Sequence, residues 1–409
     1  METVNNLLEN ETSFNKSAQK LVFNTFYIEF KRQLYLAGQT TFSFVMMLLI
    51  FMFQHLECYK YGEHYQFYQK LEDNDQIKEI VRSIRVSVDF NELQQQQMSK
   101  QQSVTPQTYL KLLIRDKFIE KTNFVSLSEK QVAYWKYQEF KDTIILDYDQ
   151  MSTFRTPSFF VSEANKTYTV VIRASTNFND AYTTLDFTPE YHYGYYFHSG
   201  FFAAASYVMQ ILKKTLDQNK DIKIIGYSIG ASISVILTYL LRLQKYNATT
   251  INCGQCIVGD YNFSMLAKSF STTILNGFDY LPQFSFHAQA VTLMRMRLSM
   301  LKLKNKSSDV KQSVDDFDND TIIQSDEKNF QLCEQYFIAQ IGYLPEIRIL
   351  SQRLTRKTDL FIAGNVFQFM KGNLVQVSVH DIQEFYFTIQ GVLDHVGYHA
   401  LIADLAKFI

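Results

Sequence analysis

Asp221-Ile222-Lys223-Ile224-Ile225-Gly226-Tyr227-Ser228-Ile229-Gly230-Ala231 is the stretch whose reading decides the fold. A short β-rich run passes through Gly-Tyr-Ser-Ile-Gly into a long apolar helix, Ala231 to Leu243. A strand that turns sharply into a helix with serine at the apex forces that serine into a strained backbone conformation and lifts its Oγ out of the sheet. Gly226 and Gly230 are expected to flank it because a Cβ at either position would strike the neighbouring strand or helix. The helix that follows aims its N-terminus at the serine, so the Ile229 amide can face a developing oxyanion. G-x-S-x-G is a weak pattern by itself; strand before and helix after are the context that raises it to a nucleophile elbow.

Around this elbow the chain alternates strand and helix. Ser158-Phe-Phe-Val-Ser leads to a turn at Glu163-Ala-Asn-Lys166, and Tyr168 to Ser175 has the continuous apolar run of a buried central strand. Phe201 to Leu216 is a predicted helix; Thr250–Val258, Thr272–Gly277, Asp359–Asn365 and Asn373–Val379 are predicted strands. The alternation implies an α/β fold, a mostly parallel sheet with helices on both faces.

The order of the chain suggests four parts. Residues 1–33 form a polar tail. Residues 34–55 lie in a stretch, Gln33 to His55, without a charged side chain, and Phe42 to Phe53 is almost wholly apolar. That length just crosses a bilayer core as a helix, so the segment is a candidate single membrane span; a buried or interfacial helix is the alternative. Lys31 and Arg32 before it favour an N-terminus on the cytoplasmic side. Residues 56–150 suggest a helical linker or cap, with an amphipathic helix over Leu71–Val88 and further helices at Thr108–Phe118 and Gln131–Phe140. Residues 151–409 hold the α/β domain, interrupted at about 293–346 by a segment basic at Arg295–Lys306 and acidic at Asp309–Asp326. It has the character of an exposed insertion, placed to act as a lid or regulatory loop.

Composition narrows the chemistry. With 409 residues and a net charge of -1, nothing points to nucleic acid held by bulk electrostatics. Four cysteines do not form a disulfide framework, and Cys253-Gly-Gln-Cys256 has no second pair or histidine cluster to complete a metal or redox site. No cofactor or metal is implied.

A serine needs a base to take its proton and an acid to orient that base. In a doubly wound hydrolase sheet they follow in the order Ser, Asp, His. Ile274 to Asp279 is a β run ending in an acid, where sheet catalysts gather, and Asp394-His395 lies near the C-terminus. Ser228, Asp279 and His395 therefore stand in the expected order, with His399 and His287 as competing bases.

These residues resemble the class 3 lipases, the fungal triacylglycerol lipase-like hydrolases, and in particular their diacylglycerol lipase-like branch. Val170-Val-Ile-Arg-Ala-Ser175, Asn179-Asp-Ala-Tyr-Thr-Thr-Leu185, His198-Ser-Gly-Phe201, the elbow, Asp279-Tyr-Leu-Pro282, Leu360-Phe-Ile-Ala-Gly364 and Asp394-His395-Val-Gly-Tyr398 follow the family's motifs in order. The resemblance implies an α/β-hydrolase with Ser228 as nucleophile, His395 as general base, Asp279 as orienting acid, and Ser175 with Ile229 as oxyanion hole. It also implies acylglycerol ester hydrolysis through an acyl-serine, with a lipid substrate at a membrane. Two positions depart from the pattern: Ala174 replaces a glycine in the expected oxyanion loop, and Tyr227 replaces a histidine before the nucleophile, a change expected to matter little. Ala174 keeps open a silent hydrolase fold serving as a scaffold or as a subunit of a membrane assembly. A thioesterase or acyltransferase using the same three residues is a third possibility. His198, which precedes the serine, is expected to be structural.

Overall fold

The computed structural model describes residues 69–99, 124–127, 134–137, 143–148, 154–164, 166–175, 178–292, 348, 351–370, 372–383 and 389–405. The polar tail, the candidate span at 34–55, the predicted helix at Thr108–Phe118 and the insertion at 293–346 lie outside the described residues. Among the described residues, no helix is long and apolar enough to cross a membrane.

The framework is a ten-stranded sheet in the order β12-β11-β10-β9-β8-β5-β4-β3-β1-β2. Its strands are β1 (Phe124–Leu127), β2 (Tyr134–Tyr137), β3 (Thr143–Tyr148), β4 (Phe159–Ala164), β5 (Thr167–Ile172), β8 (Asp221–Tyr227), β9 (Ala248–Cys253), β10 (Ser271–Asn276), β11 (Asn365–Met370) and β12 (Asn373–Val377). Neighbouring strands β5, β8, β9, β10 and β11 all run parallel. Antiparallel pairings flank them, β12 on one side and β4 with β3 on the other. A separate hairpin pairs β6 (Pro189–His192) with β7 (Tyr195–His198).

Helices cover both faces, as the alternating pattern requires. On one face lie α3 (Ser199–Leu212) and α4 (Ile229–Leu243), whose Val208, Leu212, Ile233, Ile236 and Leu240 pack with Val170 and Ile172 of β5 and Ile222 and Ile224 of β8. On the other lie α1 (Asn74–Ser99) and the C-terminal helix α7 (Tyr398–Leu405). Ile77, Ile80, Val81, Ile84 and Val88 recur at helical spacing and make α1 amphipathic; they meet Tyr398, Leu401, Ile402 and Leu405 of α7 over Cys253, Ile274 and Phe367. The predicted amphipathic helix at Leu71–Val88 is therefore one wall of the core. Two shorter helices, α2 (Phe178–Leu185) and α5 (Tyr261–Ala267), join the strands, and α6 (Ile389–Val396) precedes α7.

Two expectations are corrected. The segment predicted as helix over Gln131–Phe140 contains β2, and β1 and β3 beside it extend the sheet. Tyr-Trp-Lys-Tyr and Thr-Ile-Ile-Leu-Asp-Tyr are aromatic and β-branched, residue types that suit a pleated surface better than a helix. The strand predicted over Asp359–Asn365 begins only at its last residue. Gly364 ahead of it has φ +103, and a Cβ there would stand 2.7 Å from the Ser271 carbonyl oxygen. The chain therefore bends at Gly364, and Phe361 instead pairs with the Val258–Gly259 backbone.

Candidate active site

The elbow forms as its residues dictate. Ser228 sits between β8 and α4 with φ 57 and ψ −121, a left-handed conformation for a residue with a side chain. Its amide is held by the Cys253 carbonyl at 2.9 Å. A Cβ on Gly226 would lie 2.3 Å from the Gly230 carbonyl oxygen, and one on Gly230 would lie 2.4 Å from that of Ile172. Only glycine lets the start of α4 close onto β8 and the end of β5.

Three parallel strands then bring residues to one end of the sheet, the carboxyl end where sheet catalysts gather. Ser228 follows β8, Gly254 follows β9 and Asp279 lies three residues past β10. His395 arrives from α6. The Ser228 Oγ is 3.1 Å from His395 Nε2, and His395 Nδ1 is 3.0 Å from both carboxylate oxygens of Asp279. A nitrogen facing a carboxylate carries the proton, so Nδ1 donates to Asp279 and Nε2 is left to accept from the serine hydroxyl. Asp279 is 2% exposed, while the imidazole and the Ser228 hydroxyl lie nearer the surface.

The buried carboxylate has further donors. The Leu281 amide reaches Oδ1 at 3.0 Å, and the Tyr398 hydroxyl reaches Oδ2 at 2.9 Å. Tyr398 is fully buried, and burial together with the neighbouring Asp279 charge pushes its phenol well above the ordinary range, so it stays a donor. It also accepts from the Asn276 amide at 3.1 Å, fixing the turn that carries Asp279. Asp394 fastens α6 to the same turn: its carboxylate accepts from the Phe278 amide at 2.7 Å, and its carbonyl accepts from Asn276 Nδ2 at 2.8 Å.

The loop after β5 is clamped by burial. Arg173 and Asp180, each almost wholly buried, pair at 3.2 Å, and Ser175 is half-buried. A Cβ on Gly230 would strike the Ile172 and Arg173 carbonyls, so Ser175 lies two residues beyond the contact between β5 and the start of α4. The Ile229 amide opens α4, in the turn where helical N–H groups lack an intrahelical acceptor. Ala174 is buried in the cluster formed by Tyr227, Cys253, Tyr398 and α1, so its methyl packs into the core on that face.

Of the competing bases, His287 belongs elsewhere. Its Nδ1 is 3.0 Å from Asp359 and its Nε2 is 3.0 Å from the Ser351 hydroxyl, which also meets His380 Nδ1 at 2.7 Å. This second Ser-His-Asp arrangement is sealed, with Ser351 at 0% exposure, and no substrate can reach it. His198 is structural as expected: its Nδ1 caps α3 by accepting from the Phe201 amide, and its Nε2 donates to the Thr184 carbonyl at 2.9 Å. Burial pushes it down to about 4. The side chain of His399 is not among those described.

Two site residues escape a reading of the sequence. Gly254, inside the Cys-Gly-Gln-Cys motif, has φ +60, and a Cβ there would stand 3.1 Å from His395 Cε1 and 3.3 Å from Asp279 Oδ2. The motif serves packing: both thiols are free and buried, and burial lifts each to about 12, far from a reactive thiolate. Tyr398 was visible only as the end of Asp-His-x-x-Tyr, one helical turn past the histidine.

A search of solved structures finds fungal lipases. The lipase from Rhizopus microsporus var. chinensis is 16% identical, with 53% of this chain and 72% of that chain covered and a TM-score of 0.37. For the Rhizomucor miehei triacylglyceride lipase the figures are 20%, 35%, 61% and 0.28, and for the mono- and diacylglycerol lipase from Aspergillus oryzae 19%, 33%, 55% and 0.29. This chain thus spans 61% of the length of the Rhizomucor miehei enzyme. No curated protein matches the chain. The family model described as lipase (class 3) matches residues 169–289, so that stretch, which holds Ser175, Ser228, Ile229 and Asp279, is similar to that family.

Proposed function

We propose that the protein is a serine carboxylic ester hydrolase acting on acylglycerols, with diacylglycerol-like esters as its substrates. The observation that carries this reading is the unbroken relay from the Ser228 hydroxyl through His395 to Asp279, with both links near 3 Å. The class 3 lipase match supports the ester, and the lipid substrates named for the fungal neighbours suggest the acylglycerol.

In this mechanism Ser228 Oγ attacks the ester carbonyl while His395 Nε2 takes its proton. Asp279, unable to leave its cage of donors, holds the imidazole and stabilises the imidazolium. The amides of Ile229 and Ser175, with the Ser175 hydroxyl, are assigned to the oxyanion; such donors contribute roughly 3 kcal/mol each to the transition state. His395 then gives the proton to the departing alcohol. Water, deprotonated by the same imidazole, attacks the acyl-serine, and the carboxylic acid leaves. Attachment through residues 34–55 as a single membrane span is part of the proposal, because it would hold the site beside an insoluble substrate.

The test is Ser228→Ala against the natural chain on diacylglycerol, triacylglycerol and a short soluble ester. Hydrolysis of all three should fall by roughly 10³-fold or more. Retention of turnover on the soluble ester would overturn the assignment of the nucleophile.

A further inference from the structure

The residue before the nucleophile holds the base. Tyr227, expected to matter little, extends its side chain from the end of β8 to α6, and its hydroxyl donates to the main-chain carbonyl of His395 at 2.7 Å. The phenol ring lies 5.8 Å from the imidazole, with 28° between their planes. Tyr398 stands edge-on to both rings, 5.4 Å from the phenol and 6.3 Å from the imidazole. Tyr227 is buried, which favours a protein acceptor for its hydroxyl over water.

The carbonyl it reaches is one that α6 cannot satisfy itself. His395 stands in the last turn of an eight-residue helix, where carbonyls lack an intrahelical donor. That helix is lightly held: Val392, Leu393 and Val396 face outward, the last two more than half exposed. Beside the bonds its imidazole makes, it is tied to the site by those of Asp394 to the Asp279 turn and by that of Tyr227 to the His395 carbonyl. The last starts from the residue that precedes Ser228. We propose that Tyr227 is a positioning residue, a strut that sets the spacing between Ser228 and His395 by joining the backbone of one to the backbone of the other. The proposal rests on the reading of Ser228 and His395 as nucleophile and base.

Tyr227→Phe removes the hydroxyl and keeps the ring. Active sites are counted by fluorophosphonate labelling, and turnover of a short soluble ester is expressed per labelled site. The expected result is a fall in kcat of roughly tenfold or more with KM unchanged, since the residue touches no substrate. A per-site kcat within about twofold of the natural chain, or a loss that appears in KM and not in kcat, overturns the proposal. Fewer labelled sites with normal turnover at each would overturn it too, by leaving Tyr227 a purely structural role. If Tyr227→Phe yields no labelled protein, Tyr227→His, whose ring ends short of the carbonyl, is read by the same criteria. Ser228→Ala run alongside separates the two levels. Undiminished turnover there sinks the hydrolase reading and the strut with it, whereas a dead Ser228→Ala with a normal Tyr227→Phe sinks the strut alone.

Discussion

Replacing Gly254 by alanine adds one methyl group beneath the histidine–aspartate pair, and the structure allows its effect to be worked out. The backbone at 254 is left-handed, φ +60, a conformation that disfavours a residue with a Cβ by about 1–2 kcal/mol. The new carbon would stand 3.1 Å from His395 Cε1 and 3.3 Å from both His395 Nδ1 and Asp279 Oδ2. Comfortable carbon contacts lie at about 3.5–4.0 Å, so the imidazole must retreat by a few tenths of an ångström. The Ser228–His395 separation is already 3.1 Å, close to the roughly 3.2 Å limit for direct proton transfer, and has little slack. If about 1 Å of misplacement lowers a rate by 10²-fold, this shift should lower kcat by roughly tenfold, separately from the loss of stability. The assay is kcat on a soluble ester below the unfolding transition, beside a urea denaturation curve. Loss of stability with kcat unchanged would refute the reasoning, because it would mean that the imidazole does not work from the position it holds here.

Acid should weaken the fold through His198. Its folded value is about 4, against 6.5 for an unperturbed histidine, so between these values the unfolded chain holds a proton that the folded chain refuses. The stabilisation is complete above pH 6.5 and fades as the pH falls, amounting to roughly 2 kcal/mol between pH 7 and pH 5. His380, also pushed down to about 4 by burial, acts in the same direction. Urea midpoints that stay level from pH 7 to pH 5 would contradict this. At the Arg173–Asp180 pair, Asp180→Asn leaves a buried guanidinium without its carboxylate and should destabilise by roughly 3 kcal/mol. The loop that carries Ser175 should loosen with it, seen as faster proteolysis between 173 and 180; a melting temperature within about 2 °C of the natural chain would argue against the clamp.

The elbow and the order of the three site residues were legible because each depends on local chemistry. Gly226 and Gly230 flank Ser228 for reasons of contact distance, and the β run that precedes Asp279 is readable from its own residues. What escaped depends on partners far away in the chain. His287 competes with His395 as the base on paper; folding places it against Ser351 in a sealed interior, while His395 faces Ser228. Gly254 was hidden in a cysteine motif, since nothing beside it in sequence tells of an imidazole overhead. Tyr227 was discounted because it keeps an aromatic ring where the family pattern has histidine; that its hydroxyl reaches the carbonyl of residue 395 depends on a partner far along the chain. The strands at 134–137 and 143–148 were misread or passed over because polar neighbours masked their aromatic and β-branched character.

The sealed knot of Asp359, His287, Ser351 and His380 has a consequence for how this chain could change. It brings residue 287 against residue 351, so the described residues on the two sides of positions 293–346 meet at one gate. Closing a longer excursion through a fixed gate is inexpensive, about 0.6 kcal/mol for each doubling of its length. The stretch between the acid and the base is therefore free to lengthen or shorten across generations while residues 279 and 395 keep their appointment.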